Sequence, residues 1–198
     1  GFGTINGSDN KPFRTRDGGV YKLNLLFEDV KSKLTKYNSD DNVLNSLTNT
    51  VLTYSDLLPN RNQNYIFDVD KFTDINGKTG IYIQYAQVRA KKLLENSDIA
   101  GSFDNNLEMS DEERNLLFQI TMFDNFFDLS LSNMEPHHLA EYLYSLSQSF
   151  NSFYSNIKIF KDGLSLDIQK NRIKMVEEFY NTAKIVFECL GIKPVDSM

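Results

Sequence analysis

The residue types that most often carry chemistry are few in this chain, and their spacing excludes most of what they could do. The two histidines, His137 and His138, are adjacent. Neighbouring helix positions point about 100° apart, and no cysteine or acidic cluster completes a ligand set, so they read as surface residues and no metal site is expected. The single cysteine, Cys189, lies in the apolar run Ile185-Val186-Phe187-Glu188-Cys189-Leu190, which excludes an internal disulfide and suggests a buried thiol. Asp68 and Asp70 would share one face if Phe67 to Lys71 were extended, but acids in a turn-rich connector are common without catalysis. More suggestive is a basic cluster, Lys11, Arg14 and Arg16 with Thr15 between the two arginines, followed by Gly18-Gly19. It is either an exposed basic turn or a mobile loop carrying cations, and composition leaves both open.

The elements that must position these groups come in two parts. From about residue 76 to 198 the pattern is helix after helix. Thr79 to Leu94 carries Ile81, Tyr85 and Val88 beside Tyr82, Ala86, Arg89 and Leu93, two neighbouring stripes on one helix. Ser110 and Glu113 form a capping box ahead of Leu116, Ile120, Phe123 and Phe127. Pro136 opens a third helix with Leu139, Leu143, Leu146, Phe150 and Phe153 on one side. A fourth runs through Ile173, Val176, Tyr180, Ala183, Phe187 and Leu190 until Gly191 and Pro194 end it. Such helices bury their apolar sides most economically as an antiparallel bundle, so the fold is expected to be mainly α. Residues 1 to 75 read as a short α/β piece: a strand at Val20-Tyr21-Lys22-Leu23, helices near Asn24 to Lys36 and Asn42 to Leu58, and an irregular connector around the extended run Tyr65-Ile66-Phe67.

The chain has 198 residues and a net charge of −6, which argues against nonspecific binding to nucleic acid. Yet cations gather at Lys78, Arg89, Lys91 and Lys92 and again at Lys158, Lys161, Lys170, Arg172 and Lys174, so a basic face on an acidic protein is allowed. No run of about 18 apolar residues could span a bilayer and no signal peptide is visible, which predicts a cytoplasmic protein without membrane partners.

Three segments, in order, resemble the arginyl-tRNA synthetase family. Asp9-Asn10-Lys11-Pro12-Phe13-Arg14-Thr15-Arg16-Asp17-Gly18-Gly19 is similar to that family's form of the loop written Lys-Met-Ser-Lys-Ser in other class I synthetases. Tyr54-Ser55-Asp56-Leu57-Leu58, Asn60-Arg61, Tyr65-Ile66-Phe67-Asp68 and Thr79-Gly80-Ile81-Tyr82-Ile83-Gln84-Tyr85-Ala86-Gln87-Val88-Arg89 resemble the entry into its DALR-type anticodon-binding domain, with Ile81 and Gln87 where the family has Pro and His. Leu139-Ala140-Glu141-Tyr142-Leu143-Tyr144, Phe150-Asn151-Ser152-Phe153-Tyr154, Leu190-Gly191-Ile192 and the final Met198 resemble its closing helices.

The resemblance implies the carboxy-terminal part of such an enzyme: residues 1–75 the end of the catalytic region, residues 76–198 the helical anticodon-binding domain. The whole enzyme would join arginine to its tRNA using ATP and Mg2+, with Lys11, Arg14 and Arg16 offsetting phosphate charge and Thr15 orienting the loop. With neither a His-x-Gly-His signature nor a glycine-rich strand-to-helix turn, the piece alone would bind tRNA(Arg) without charging it and would hold no cofactor. Tyr82, Gln84, Tyr85 and Arg89 would face Asn151, Tyr154 and the Met198 carboxylate across a pocket for the middle anticodon base, since tyrosine and glutamine supply a stacking plane and a donor–acceptor pair. The remainder of the catalytic domain is the other implied partner, within a monomeric parent. The alternative is a noncatalytic helical module that docks on another protein.

Overall fold

Residues 3–7, 22–104, 106–160 and 163–198 are described by the computed structural model of the chain; Lys11, Arg14, Thr15 and Arg16 and the first half of the expected strand at Val20 lie outside them. Strand β1 (Ile5–Asn6) pairs in parallel with β2 (Tyr65–Ile66), Ile5 opposite Tyr65. The extended run at Tyr65 was legible, but a two-residue partner some 60 positions away leaves no local pattern to read. Between them, α1 (Leu23–Leu34) and α2 (Asp41–Leu57) form the expected helical pair. Leu23 is helical rather than the end of a strand. Helix α2 starts where the Asp40 carboxylate accepts hydrogen bonds from the amides of Asn42 and Val43.

The single turn α3 (Val69–Phe72) removes the paired-carboxylate reading. Asp68 caps it by accepting from the Lys71 amide, and Asp70 is 2.7 Å from Lys33 Nζ. A helical turn, not a strand, separates the two acids, so they share no extended face.

Helix α4 (Gly80–Glu95) is capped by Thr79, whose hydroxyl accepts from the Tyr82 amide. Glycine at its first position has a packing reason: a Cβ there would lie 2.9 Å from Thr50 Cγ2 and 3.0 Å from Thr50 O, so α4 starts pressed against α2. The stripe expected to make one helix from Leu116 to Phe127 is two, α5 (Asp111–Thr121) and α6 (Phe123–Asn133), because ψ opens to −5° at Met122 and its amide bonds three residues back, to Gln119 O. Apolar periodicity ran through the break and hid it. Helices α7 (His137–Asn156) and α8 (Leu166–Cys189) complete the bundle, α8 starting about two turns earlier than its apolar stripe, at a Ser165 cap.

Neighbouring helices are not all antiparallel. Gln87 reaches Tyr180 O, and Gly101, just past the end of α4, lies against Lys174 near the start of α8, so α4 and α8 run oppositely. Tyr82 packs on Tyr144 and, seven residues on, Arg89 bonds to Asn151, so α4 and α7 run the same way. Two apolar clusters hold the whole. Phe150 and Phe179, stacked 4.0 Å apart, centre the larger one with Ile83, Leu143, Leu146 and Phe187. The smaller joins α1 and α2 to α4 and the carboxy-terminal tail through Val30, Leu34, Leu47, Val51, Ile81, Val88 and Val195. Cys189, expected to be buried, is exposed. It sits about 200° round the helix from buried Phe187, on the side carrying exposed Ile185 and Glu188.

Helix α6 ends at Met134 in the left-handed conformation (φ 53°, ψ 44°), its amide bonded to Leu131 O and Ser130 O. A side chain there strains the backbone by about 1–2 kcal/mol, and the methionine is 76% exposed with little packing to lose. Met134→Gly should therefore stabilise the chain by about 0.5–1 kcal/mol after the added freedom of the unfolded state is counted. A raised urea midpoint at unchanged m-value is the expected reading; a lowered midpoint would refute it.

Candidate nucleic-acid interface

The parallel register of α4 and α7 lays one face of each helix along a shared seam. Tyr82, Tyr85 and Arg89 come from α4, Tyr144, Gln148 and Asn151 from α7, and Tyr154 closes one end. At that end the Arg89 guanidinium lies between two rings, its carbon 4.0 Å from the Tyr85 centroid and 4.8 Å from the Tyr154 centroid. Arg89 Nη1 donates to Asn151 Oδ1 at 2.9 Å and Nη2 to the Tyr85 hydroxyl at 3.0 Å. Tyr154 is 38% exposed, so one edge of this stack meets solvent. A planar cation between two aromatic rings is attracted by both ring faces and held against rotation. The arrangement offers a nucleobase a preformed plane, with Asn151 available along its edge.

About 10 Å along the seam, at the helical rise, is a second aromatic pair. Tyr82 and Tyr144 have ring centroids 5.4 Å apart, Lys78 Nζ is 5.4 Å from the Tyr144 centroid and 3.3 Å from Glu141 Oε1, and Gln148 donates to the Tyr144 hydroxyl at 2.9 Å. Tyr144 and Gln148 were not among the pocket residues expected from sequence, and Lys78 was expected only as part of a basic face. The signal that could have found Tyr144 and Gln148 is the spacing Tyr144, Gln148, Asn151, which keeps to one helical face as Tyr82, Tyr85 and Arg89 do on α4.

Two expected members of the pocket are placed elsewhere. Gln84 is fully buried: its Nε2 donates to Thr50 Oγ1 at 2.8 Å and to Lys193 O at 2.9 Å, while its Oε1 accepts from the Val195 amide at 3.0 Å. Its amide is thus spent on fixing the tail to α4 and α2. Position 84 is two residues from 82, a spacing that turns it to a different side of the helix. The tail then runs along that side, with Asp196 bonded to Lys91 and Ser197 accepting from Asn38. The Met198 side chain packs against the smaller apolar cluster with Val195, Ile81 and Val88, on the stripe next to Tyr82, Tyr85 and Arg89. Gln87, where the family resemblance would put His, is 1% exposed and donates to Tyr180 O, a packing position against α8.

The two histidines also differ from the sequence reading. Both are partly buried, their rings 4.0 Å apart, and Glu135 lies beside them with its Oε2 3.2 Å from His138 Nε2. The 100° rule applies inside a helix, whereas Glu135 precedes α7 and is folded back by the left-handed turn at Met134.

Among the described residues no helix is long and apolar enough to cross a membrane. Residues 83–198 match the family model described as DALR anticodon binding domain, and residues 1–69 match that of the tRNA synthetases class I (R) catalytic domain. An arginine–tRNA ligase of Alkaliphilus oremlandii is 33% identical over 210 aligned positions, covering all of this chain and 36% of the relative; one from Francisella tularensis is 35% identical with the same coverage. The chain therefore spans about a third of the length of the curated relatives it matches. The arginyl-tRNA synthetase of Plasmodium falciparum superposes with a TM-score of 0.77 at 28% identity, over 100% of this chain and 35% of that one. That of Thermus thermophilus superposes at 0.85 with 19% identity, also over 100% of this chain and 35% of that one, a likeness of fold.

Proposed function

Because the chain belongs to the DALR anticodon binding domain family, in the carboxy-terminal arrangement of an arginyl-tRNA synthetase, we propose that its α4–α7 seam holds the anticodon loop of arginine tRNA. The observation that carries this is the Arg89 guanidinium set between Tyr85 and Tyr154, with the outer ring open to solvent. An unpaired base can lie on the exposed ring, and the cation behind that ring deepens its attraction for a base and for the phosphates on either side. The middle anticodon base, cytosine in nearly all arginine tRNAs, is the occupant in this reading. Tyr82 and Tyr144 would take an adjacent unpaired base, and Lys78 the charge between the two. Met198 would take part by closing the flank of α4.

Within the whole enzyme, the reading extends to ligation of arginine to tRNA with ATP and Mg2+. Lys11, Arg14 and Arg16 would offset the charge building on the departing pyrophosphate, and residues before 76 would continue the catalytic region. Residues 1–75 are too few for a complete nucleotide fold. Arginine-dependent ATP–pyrophosphate exchange by this chain alone, with tRNA present, should therefore stay at background.

A fluorescence titration tests the seam directly. A labelled arginine-tRNA anticodon stem-loop should bind the chain, and replacing its middle cytosine with guanine should weaken binding by about tenfold or more, as a mismatched stacked and hydrogen-bonded base does. Equal affinity for both loops would mean that the seam does not read that base, and no binding at all would favour a protein-docking module.

A further inference from the structure

We propose that Glu135, His137 and His138, at the turn from α6 into α7, form a binding site for a divalent transition-metal ion of the zinc type. One potential ligand atom from each of the three side chains lies within 4.8 Å of the others, and no other such group of histidine, cysteine and acidic side chains occurs among the described residues. Two imidazoles and a carboxylate are a ligand set suited to Zn2+ and Co2+, with metal–ligand distances of about 2.0–2.2 Å. Ligand atoms around such an ion sit about 3.4 Å apart, so rotations of the side-chain torsions by a modest amount bring these three to bonding distance.

Three observations favour an ion over an ordinary histidine cluster. His137 Nδ1 is buried and makes no hydrogen bond, an unusual state for an imidazole nitrogen whose lone pair or proton has been taken from water. Glu135 is already held in place, because Asn60 Nδ2 donates to its Oε1 at 3.1 Å and leaves Oε2 on the side of His138. The carboxylate is therefore oriented as ligating carboxylates are, by a hydrogen bond to the oxygen that does not bind the metal. His137 also lines two open cavities, of about 530 and 540 Å³, together with Asn60, Gln63 and Tyr65, so the cluster is reachable from solvent on its His137 side.

The site would lie where the front piece meets the bundle. Asn60 and Arg61, in the connector before β2, bond to Glu135 and to Met134 O, and Gly3 bonds to Arg61 O. An ion fixing Glu135 would thereby fix the connector against α7. The inference does not rest on the RNA reading, and neither outcome for the stem-loop bears on it.

The composition makes the test clean, since these two are the only histidines and Cys189 is the only cysteine. Chelator-treated chain titrated with Zn2+ at pH 7.5 in a calorimeter should bind one equivalent at micromolar concentration, and saturating Zn2+ should raise the melting temperature. Glu135→Gln and His138→Gln should each weaken binding by at least about tenfold, the low end of what losing even a supporting partner of a metal ligand costs. Cys189→Ser should leave it unchanged. The double variant His137→Gln/His138→Gln should bind no Zn2+ in the micromolar range. Should that variant lose its helical circular dichroism, the Co2+-loaded wild-type chain decides instead: two paramagnetically shifted imidazole N–H resonances are expected. Wild-type binding only at millimolar Zn2+, a folded double variant binding as wild type, or no shifted imidazole signals would each overturn the proposal.

Discussion

Replacing Arg89 with alanine should lower affinity for the arginine-tRNA anticodon stem-loop by on the order of 1–3 kcal/mol, about five- to 150-fold, while leaving the helical fold intact. The size follows from what the side chain touches. One guanidinium separates the Tyr85 and Tyr154 rings and bonds to both Asn151 and the Tyr85 hydroxyl, so its removal frees the rings to tilt and also takes away a cation. Arg89→Lys should not restore binding, because an ammonium keeps the charge but lacks the plane and the fork of donors that hold the two helices in register. Tyr82→Ala should weaken binding within the same range by loss of one stacking surface. Fluorescence titrations of the stem-loop, at one fixed salt concentration since phosphate contacts depend on it, check all three. Unchanged affinity in folded Arg89→Ala would remove the residue from the interface.

A second large effect is expected on stability rather than binding. Glu113, 4% exposed, closes the capping box of α5 by accepting the Ser110 amide at 2.8 Å, and its other oxygen accepts from Arg172 Nε on α8 at 2.8 Å. Arg172 in turn donates to Lys158 O at 2.9 Å. Glu113→Ala should cost about 3–5 kcal/mol of unfolding free energy, because it leaves a largely buried guanidinium unpaired and an amide uncapped. Equilibrium urea unfolding measures this, and a loss below about 1 kcal/mol would show the pair to be a surface interaction instead.

The same carboxylate gives the pH dependence. Burial raises its pKa, but hydrogen bonds and charge from Arg172 and hydrogen bonds from Ser110 outweigh that, and the net shift is below the ordinary value of 4.5. A carboxyl depressed in the folded state binds protons more readily once unfolded. Its contribution is therefore fully present above about pH 4.5 and is lost as the pH falls through the lower, folded value. Acid should destabilise the wild-type chain more steeply than Glu113→Ala over that window.

Much of this protein is written in local pattern. Helices announce themselves through the spacing of apolar residues and through caps, and Thr79, Ser110 and Asp40 mark helix starts because each is short and polar immediately before a helix. That Tyr85, Arg89, Asn151 and Tyr154 come together was also legible, through the family resemblance and through the i, i+4 spacing that turns Tyr85 and Arg89 the same way.

What local pattern could not supply is which helices lie side by side, in which direction and at what register. The parallel α4–α7 seam brings Tyr144 and Gln148 beside Tyr82, and no feature of either helix alone specifies that pairing. Gln84 and Tyr85 are adjacent in sequence, yet one is sealed under the tail and the other lines the seam, because 100° of rotation separates them and only the packed partners decide what each direction meets. Met122 breaks a helix that apolar periodicity carries straight through, and the left-handed turn at Met134 brings Glu135 to two histidines that helical geometry alone would have left without it. Residue types and their order set the elements and their apolar sides; contacts between elements far apart in sequence set which polar groups are spent inside the molecule and which remain for a ligand.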